Sequence, residues 1–140
     1  MSRLFVVKKD GIPDLPGMML ATVDALRSIG GSASIHELDE RVAEIEGVSE
    51  QEQSFLMANH DHRPRLNYYL AWARTYLRRG GALENSSRGV WALTDVGQAI
   101  SQYTQTKAIF DQVQFEEREK ARLKRLEEQQ SPPSLSLIHI

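Results

Sequence analysis

The chain has 140 residues, 41% hydrophobic and 26% charged, enough for one soluble domain with its own core. It has no cysteine, which excludes disulfides and thiolate zinc sites and fits a reducing, cytoplasmic setting. The formal net charge is −2, no apolar run approaches the ~20 residues of a membrane helix, and Lys8 and Lys9 follow the first apolar run instead of preceding it, unlike a signal peptide.

Residues 1–16 read as an arm, in which Leu4-Phe5-Val6-Val7 has the makings of a short strand and Pro13 and Pro16 interrupt any regular structure after it. Met19 (or Leu20), Val23, Leu26 and Ile29 recur at helical spacing and predict a helix over 17–29, ended by Gly30-Gly31. Ser32-Ala33-Ser34 has room for a one-bridge strand. Ser34 and Glu37 form a capping box that opens a second helix with Ile35, Leu38, Val42 and Ile45 as its buried stripe, closed by Gly47. Ser49 and Glu52 repeat the box and open a third helix that continues through Phe55, Leu56 and Met57. A loop containing His60, Asp61 and His62 comes next, and Pro64 disfavours helix at Arg63.

The fourth predicted helix covers 65–79. Leu66, Leu70, Ala73 and Leu77 fall on one stripe, flanked by Tyr69 and Tyr76, while Asn67, Tyr68, Ala71, Thr75 and Arg78 face the other way and Trp72 sits on the boundary. Leu83-Glu84 and Val90-Trp91-Ala92-Leu93 are strand-like around the turn residues Asn85 to Gly89. Thr94 caps a last short helix through Val96, Ala99, Ile100 and Tyr103. Residues 110–130 are highly charged, with Phe115, Leu123 and Leu126 as sparse apolar points, and read as a solvated helix serving as a linker or a weak pairing seam.

Charge is segregated along this order. Residues 63–88 hold six basic groups and one acidic (+5), whereas residues 37–61 hold eight acidic groups and one basic (−7). A molecule with a basic and an acidic side orients on a polyanion despite a negative total. An arginine-ended helix followed by a two-stranded hairpin with Arg88 near its tip is a recurring way to read duplex DNA. The expected fold is therefore α+β and mostly helical: a winged helix-turn-helix with a small antiparallel hairpin and a charged C-terminal helix.

The wording of the sequence goes further than its topology. The run Ile29-Gly30-Gly31-Ser32-Ala33-Ser34-Ile35-His36-Glu37-Leu38, then Trp72-Ala73-Arg74-Thr75-Tyr76-Leu77 with Gly81-Ala82-Leu83-Glu84, then Arg88-Gly89-Val90-Trp91-Ala92-Leu93-Thr94, resembles the N-terminal domain of the Mrr family of restriction endonucleases, over roughly 18–103. The resemblance implies a winged helix that binds DNA and directs a separate C-terminal nuclease domain, which cuts modified DNA with a metal ion. That nuclease needs an Asp and then an Asp/Glu-x-Lys strand. None of Lys8, Lys9, Lys107, Lys120 and Lys124 has an acidic residue two positions earlier, so only the binding role carries over.

The expected organisation is an arm over 1–16, a DNA-binding domain over 17–105, a charged helical linker over 106–131, and a tail over 132–140. Within that tail, Leu135-Ser136-Leu137-Ile138-His139-Ile140 matches a sequencing-adaptor end translated in one frame, so a non-native ending is expected, with the parent protein continuing past Ser134. Base-reading candidates are Asn67, Tyr68, Ala71, Arg74 and Thr75, because Asn pairs bidentately with adenine and Arg with guanine while a small Ala admits close approach. Backbone candidates are Arg65, Arg78, Arg79, Ser86, Ser87 and Arg88.

Trp72 and Trp91 read as core anchors, Ser34 as a plain cap, and His36 as a surface residue. His60 and His62 lack a third ligand at helical spacing, so no metal site and no cofactor are expected in this chain, and no catalytic group stands out. The expected partners are double-stranded DNA and a second copy paired through the C-terminal helix, with no membrane. A stand-alone transcriptional regulator and a protein-interaction winged helix are the competing readings.

Overall fold

The computed structural model describes residues 3–58 and 62–130. In chain order the elements are α1 (Leu15–Ser28), β1 (Ser32–Ser34), α2 (Ile35–Glu46), α3 (Glu50–Ser54), α4 (Arg65–Arg79), β2 (Leu83–Ser87), β3 (Val90–Leu93), α5 (Asp95–Gln98) and α6 (Tyr103–Gln130). This is an α+β, mostly helical architecture, as the sequence leads one to expect.

Asp14 caps α1 by accepting from the Gly17 amide at 3.1 Å, and Pro16 sits inside the first turn. A proline there lacks only a donor that the helix does not use, so the expected break is instead a start. Residues 16–23, with Ala25 and Leu26, are buried, which makes α1 the central helix, packed on by α2, α4 and α6. Both capping boxes form, Ser34 with Glu37 and Ser49 with Glu52, and Gly47 ends α2 in the left-handed conformation with φ 64°.

The sheet is antiparallel in the order β1-β3-β2, so β3 is central. Ala33 faces Trp91 across one ladder, and Asn85 faces Trp91 across the other. The hairpin is longer than its composition suggests: β2 runs to Ser87, the ladder shifts between Asn85 and Ser87, and Arg88-Gly89 form the turn. Gly89, at φ 76°, supplies the positive dihedral this tight connection needs.

Several expectations shift. The segment Leu4 to Val7 forms no strand; it is an irregular strap with Phe5 and Val7 in the core, its Leu4 amide donating to Glu46 (2.7 Å) and its Val7 amide to Glu52 (3.0 Å). Carboxylates in place of a neighbouring strand take these two backbone donors. Gly17 permits the close approach, since a Cβ there would collide with the Leu4 carbonyl oxygen. Helix α3 stops at Ser54; Phe55 is extended and Leu56 bridges to Pro64. In α2 only Leu38 and Val42 of the predicted stripe are buried, while Ile35 and Ile45 are exposed.

The boundary expected at 105 falls inside α6. Thr106 donates from the core to the Pro16 carbonyl at 2.8 Å, Val113 is buried, and Ile109 and Phe110 pack on the core cluster. The first turns of this helix therefore belong to the body, and only its later part is solvated. Asn59, His60, Asp61 and the tail over 132–140 lie outside the described residues.

Candidate nucleic-acid interface

Helix α4 begins at Arg65 because Pro64 is extended (ψ 136°), and it ends at Gly80 with Arg78 and Arg79 in its last turn, where cations suit the helix dipole. Leu66, Leu70, Ala73 and Leu77 are at most 2% exposed, so the leucine ridge packs inward. The opposite side carries Tyr68, Ala71, Trp72 and Thr75, which with Arg63 line an open depression of about 380 Å³. The Arg63 guanidinium lies 5.2 Å from the Tyr68 ring centroid, and Tyr68 meets Tyr69 edge-on at 5.1 Å. Thr75 is exposed, with its hydroxyl donating to the Ala71 carbonyl at 3.2 Å. Arg78 is exposed beyond it, and Ser86, Ser87 and Arg88 are exposed at the hairpin tip.

Other predicted contacts are placed elsewhere. Arg74 is 5% exposed; it donates to Asp39 of α2 at 2.7 Å and lies 5.9 Å from the Trp91 ring centroid. Asn67 donates to the other Asp39 oxygen at 2.9 Å. Both residues sit a quarter turn from the leucine ridge, on the side of α4 that faces Asp39, so their polar ends are engaged by that carboxylate at the floor of a second depression, which Ile35, His36 and Arg63 also line. Burial pushes the Asp39 carboxyl above its ordinary range, and the Arg74 charge and the Asn67 amide offset this only in part.

Arg65 is 7% exposed and donates to the Lys8 carbonyl at 2.9 Å and to the Gly11 carbonyl, a grip on the arm in place of an outward contact. Arg79 pairs with Glu116 (3.4 Å) and Glu117 of α6. Residue type and helical spacing mark Arg65, Asn67, Arg74 and Arg79 as polar but carry no information about which element lies beside them.

The acidic segment is also partly consumed. Glu46 and Glu52 hold the strap, and Arg3 donates to both Glu52 oxygens at 2.7 and 3.0 Å. This fork, with the Val7 and Ser49 amides, holds the Glu52 carboxyl down at about 2.

Trp91 behaves as a core anchor, half-buried in β3 against the core. Trp72 does not: it is 46% exposed, between Tyr68 and Thr75 on the outward side. Its size argued for burial, yet its position on the helical wheel, beyond the tyrosine flank, was the signal that could have placed it. His62 is exposed at φ 56°, and no group of three metal-ligating side chains occurs among the described residues. Nor is any described helix long and apolar enough to cross a membrane.

The exposed side of α4 and the hairpin after it are thus presented by one compact body, whose limits can be compared with those of known families. Neither the curated proteins nor the solved structures contain a match to this chain. The family described as the Mrr N-terminal domain matches residues 17–102, from the first turn of α1 to the residue before α6. That span is more than half of the sequence, and the chain belongs to the Mrr N-terminal domain family.

Proposed function

We infer that this chain is a winged-helix module that binds double-stranded DNA and serves as the recognition half of an Mrr-like, modification-dependent restriction system. One observation carries the reading: the side of α4 opposite its buried leucine ridge, with Tyr68, Ala71, Trp72 and Thr75, stays open as a shallow depression, and paired strands come directly after it. The major groove accepts one α-helix, and side chains projecting from it meet base edges. Helix α4 would dock there with Tyr68, Ala71, Trp72 and Thr75 toward the bases, while Arg78 and the hairpin tip with Ser86, Ser87 and Arg88 engage flanking phosphates. Cutting would fall to a nuclease domain outside this chain, consistent with its family being an N-terminal domain.

An electrophoretic shift assay tests this with the whole chain, because α6 contributes Thr106 and Val113 to the body. Plain and base-modified duplexes are compared at two salt concentrations. A shift that weakens with salt is expected, as counterion release demands. No shift on any duplex at low salt would transfer the chain to the protein-interaction reading.

A further inference from the structure

The arm is fastened at three points. Arg3 and the Val7 amide engage Glu52, the Leu4 amide engages Glu46, and the Arg65 guanidinium holds the carbonyls of Lys8 and Gly11. Phe5 and Val7 are buried between these fastenings. The ordering is unequal along the arm: Phe5, Val7 and the backbone at Leu4, Val7, Lys8 and Gly11 are tied down, while the side chains of Lys8 and Lys9 are exposed. Arg65 is the first residue of α4, so its grip on the Lys8 and Gly11 carbonyls sets this stretch of the arm, with both lysines, beside the N-terminal end of that helix. Asp10, exposed in the same bend, offsets one of the two charges.

A recognition helix enters the major groove with its N-terminal residues nearest the bases, so groups flanking that end face the groove wall, which is phosphate. Lysine is a compact point charge suited to phosphate oxygens. Folding has already met the entropy cost of ordering the arm backbone, and only side-chain freedom remains to be lost on binding.

We propose that the arm is a third nucleic-acid contact: Lys8 and Lys9 engage duplex phosphates beside the N-terminal end of α4, and Arg65 is the positioning residue that holds them there. This rests on the duplex-DNA reading above. Arg65, expected from its charge to touch phosphate itself, acts through the arm instead.

The test is fluorescence anisotropy of the full chain on a short labelled duplex over a salt series. Lys8→Ala/Lys9→Ala replaces exposed side chains and leaves the fold intact. It should weaken binding and lower the slope of log affinity against log salt by roughly 2, at about 0.9 per phosphate contact. Arg65→Lys keeps the charge but loses the two-carbonyl fork, and should lower the slope in the same direction while thermal melting shows a folded chain. Lys120→Ala/Lys124→Ala, on the distal part of α6, should leave the slope unchanged.

An unchanged slope in the Lys8/Lys9 variant, or an equal drop in the Lys120/Lys124 control, overturns the contact. A native slope in Arg65→Lys overturns the positioning role. Failure of the native chain to bind any duplex overturns the underlying reading together with it, which is a different result from native binding with an indifferent arm.

Discussion

Arg74 and Asp39 form an ion pair of 2.7 Å between α4 and α2, with both side chains less than a tenth exposed. The same guanidinium lies over Trp91 of β3, and the second Asp39 oxygen accepts from Asn67. Three elements therefore meet at one charge pair. Removing one partner leaves a buried charge uncompensated. Asp39→Ala should cost about 3–5 kcal/mol of stability in urea unfolding. Replacing both residues with apolar side chains of similar volume should recover much of that loss. Equal losses in the single and double variants would show that the charge pair is not the organising contact.

Arg78 and Arg79 are neighbours with different surroundings, since Arg79 pairs with Glu116 and Glu117 of α6. Arg78→Ala should weaken duplex binding uniformly across sequences and lower the salt slope by about 0.9. Glu116→Gln/Glu117→Gln frees Arg79 and removes two acidic groups, so binding should tighten and the slope should steepen. A gain cannot come from misfolding, and anisotropy titrations read it directly. Unchanged affinity would place Arg79 away from the duplex.

Trp72 is a large aromatic left 46% exposed. Trp72→Ala should therefore change stability by no more than about 0.5 kcal/mol, as for a surface position, yet alter the ranking of plain and modified duplexes in competition titrations. A severe loss of stability, with ranking preserved, would return Trp72 to the role of core anchor.

Glu52 carries the clearest pH signature. Its carboxyl is held at about 2, against an ordinary 4.5, first by the hydrogen-bonded Arg3 fork. A depressed folded value means that the contribution is complete above 4.5 and is lost as pH falls toward 2. Asp39 has the opposite sign, since its raised carboxyl makes protonation favour the folded state. Glu52→Gln should therefore lower stability at neutral pH and flatten its decline across that acid window, measured by urea midpoints at several pH values. A decline as steep as in the native chain would assign the acid sensitivity to other carboxylates.

The elements were largely legible because their signals are local. The leucine spacing in α4, the two capping boxes and the glycine after α2 act within a few residues, and each formed as the spacing predicts. The signals that failed were those in which local preference met a neighbour. Ile35 and Ile45 have the right spacing for burial, but α2 packs on a narrower stripe of Leu38 and Val42. Leu4 to Val7 has strand composition, but among the described residues it pairs with no strand, and the carboxylates of Glu46 and Glu52 take its Leu4 and Val7 amides.

By itself the sequence determined the order and type of the helices, the hairpin, the inward ridge of α4 and the family to which the chain belongs, because periodicity, caps and turn residues are encoded at short range. Only the tertiary structure decided what each charge does. Arg65, Arg74 and Arg79 look alike along the chain, yet one grips the arm, one is buried on Asp39 and one pairs with α6. A guanidinium's role depends on the carboxylates and carbonyls that distant segments bring within about 3 Å, and no spacing rule along the chain carries that information.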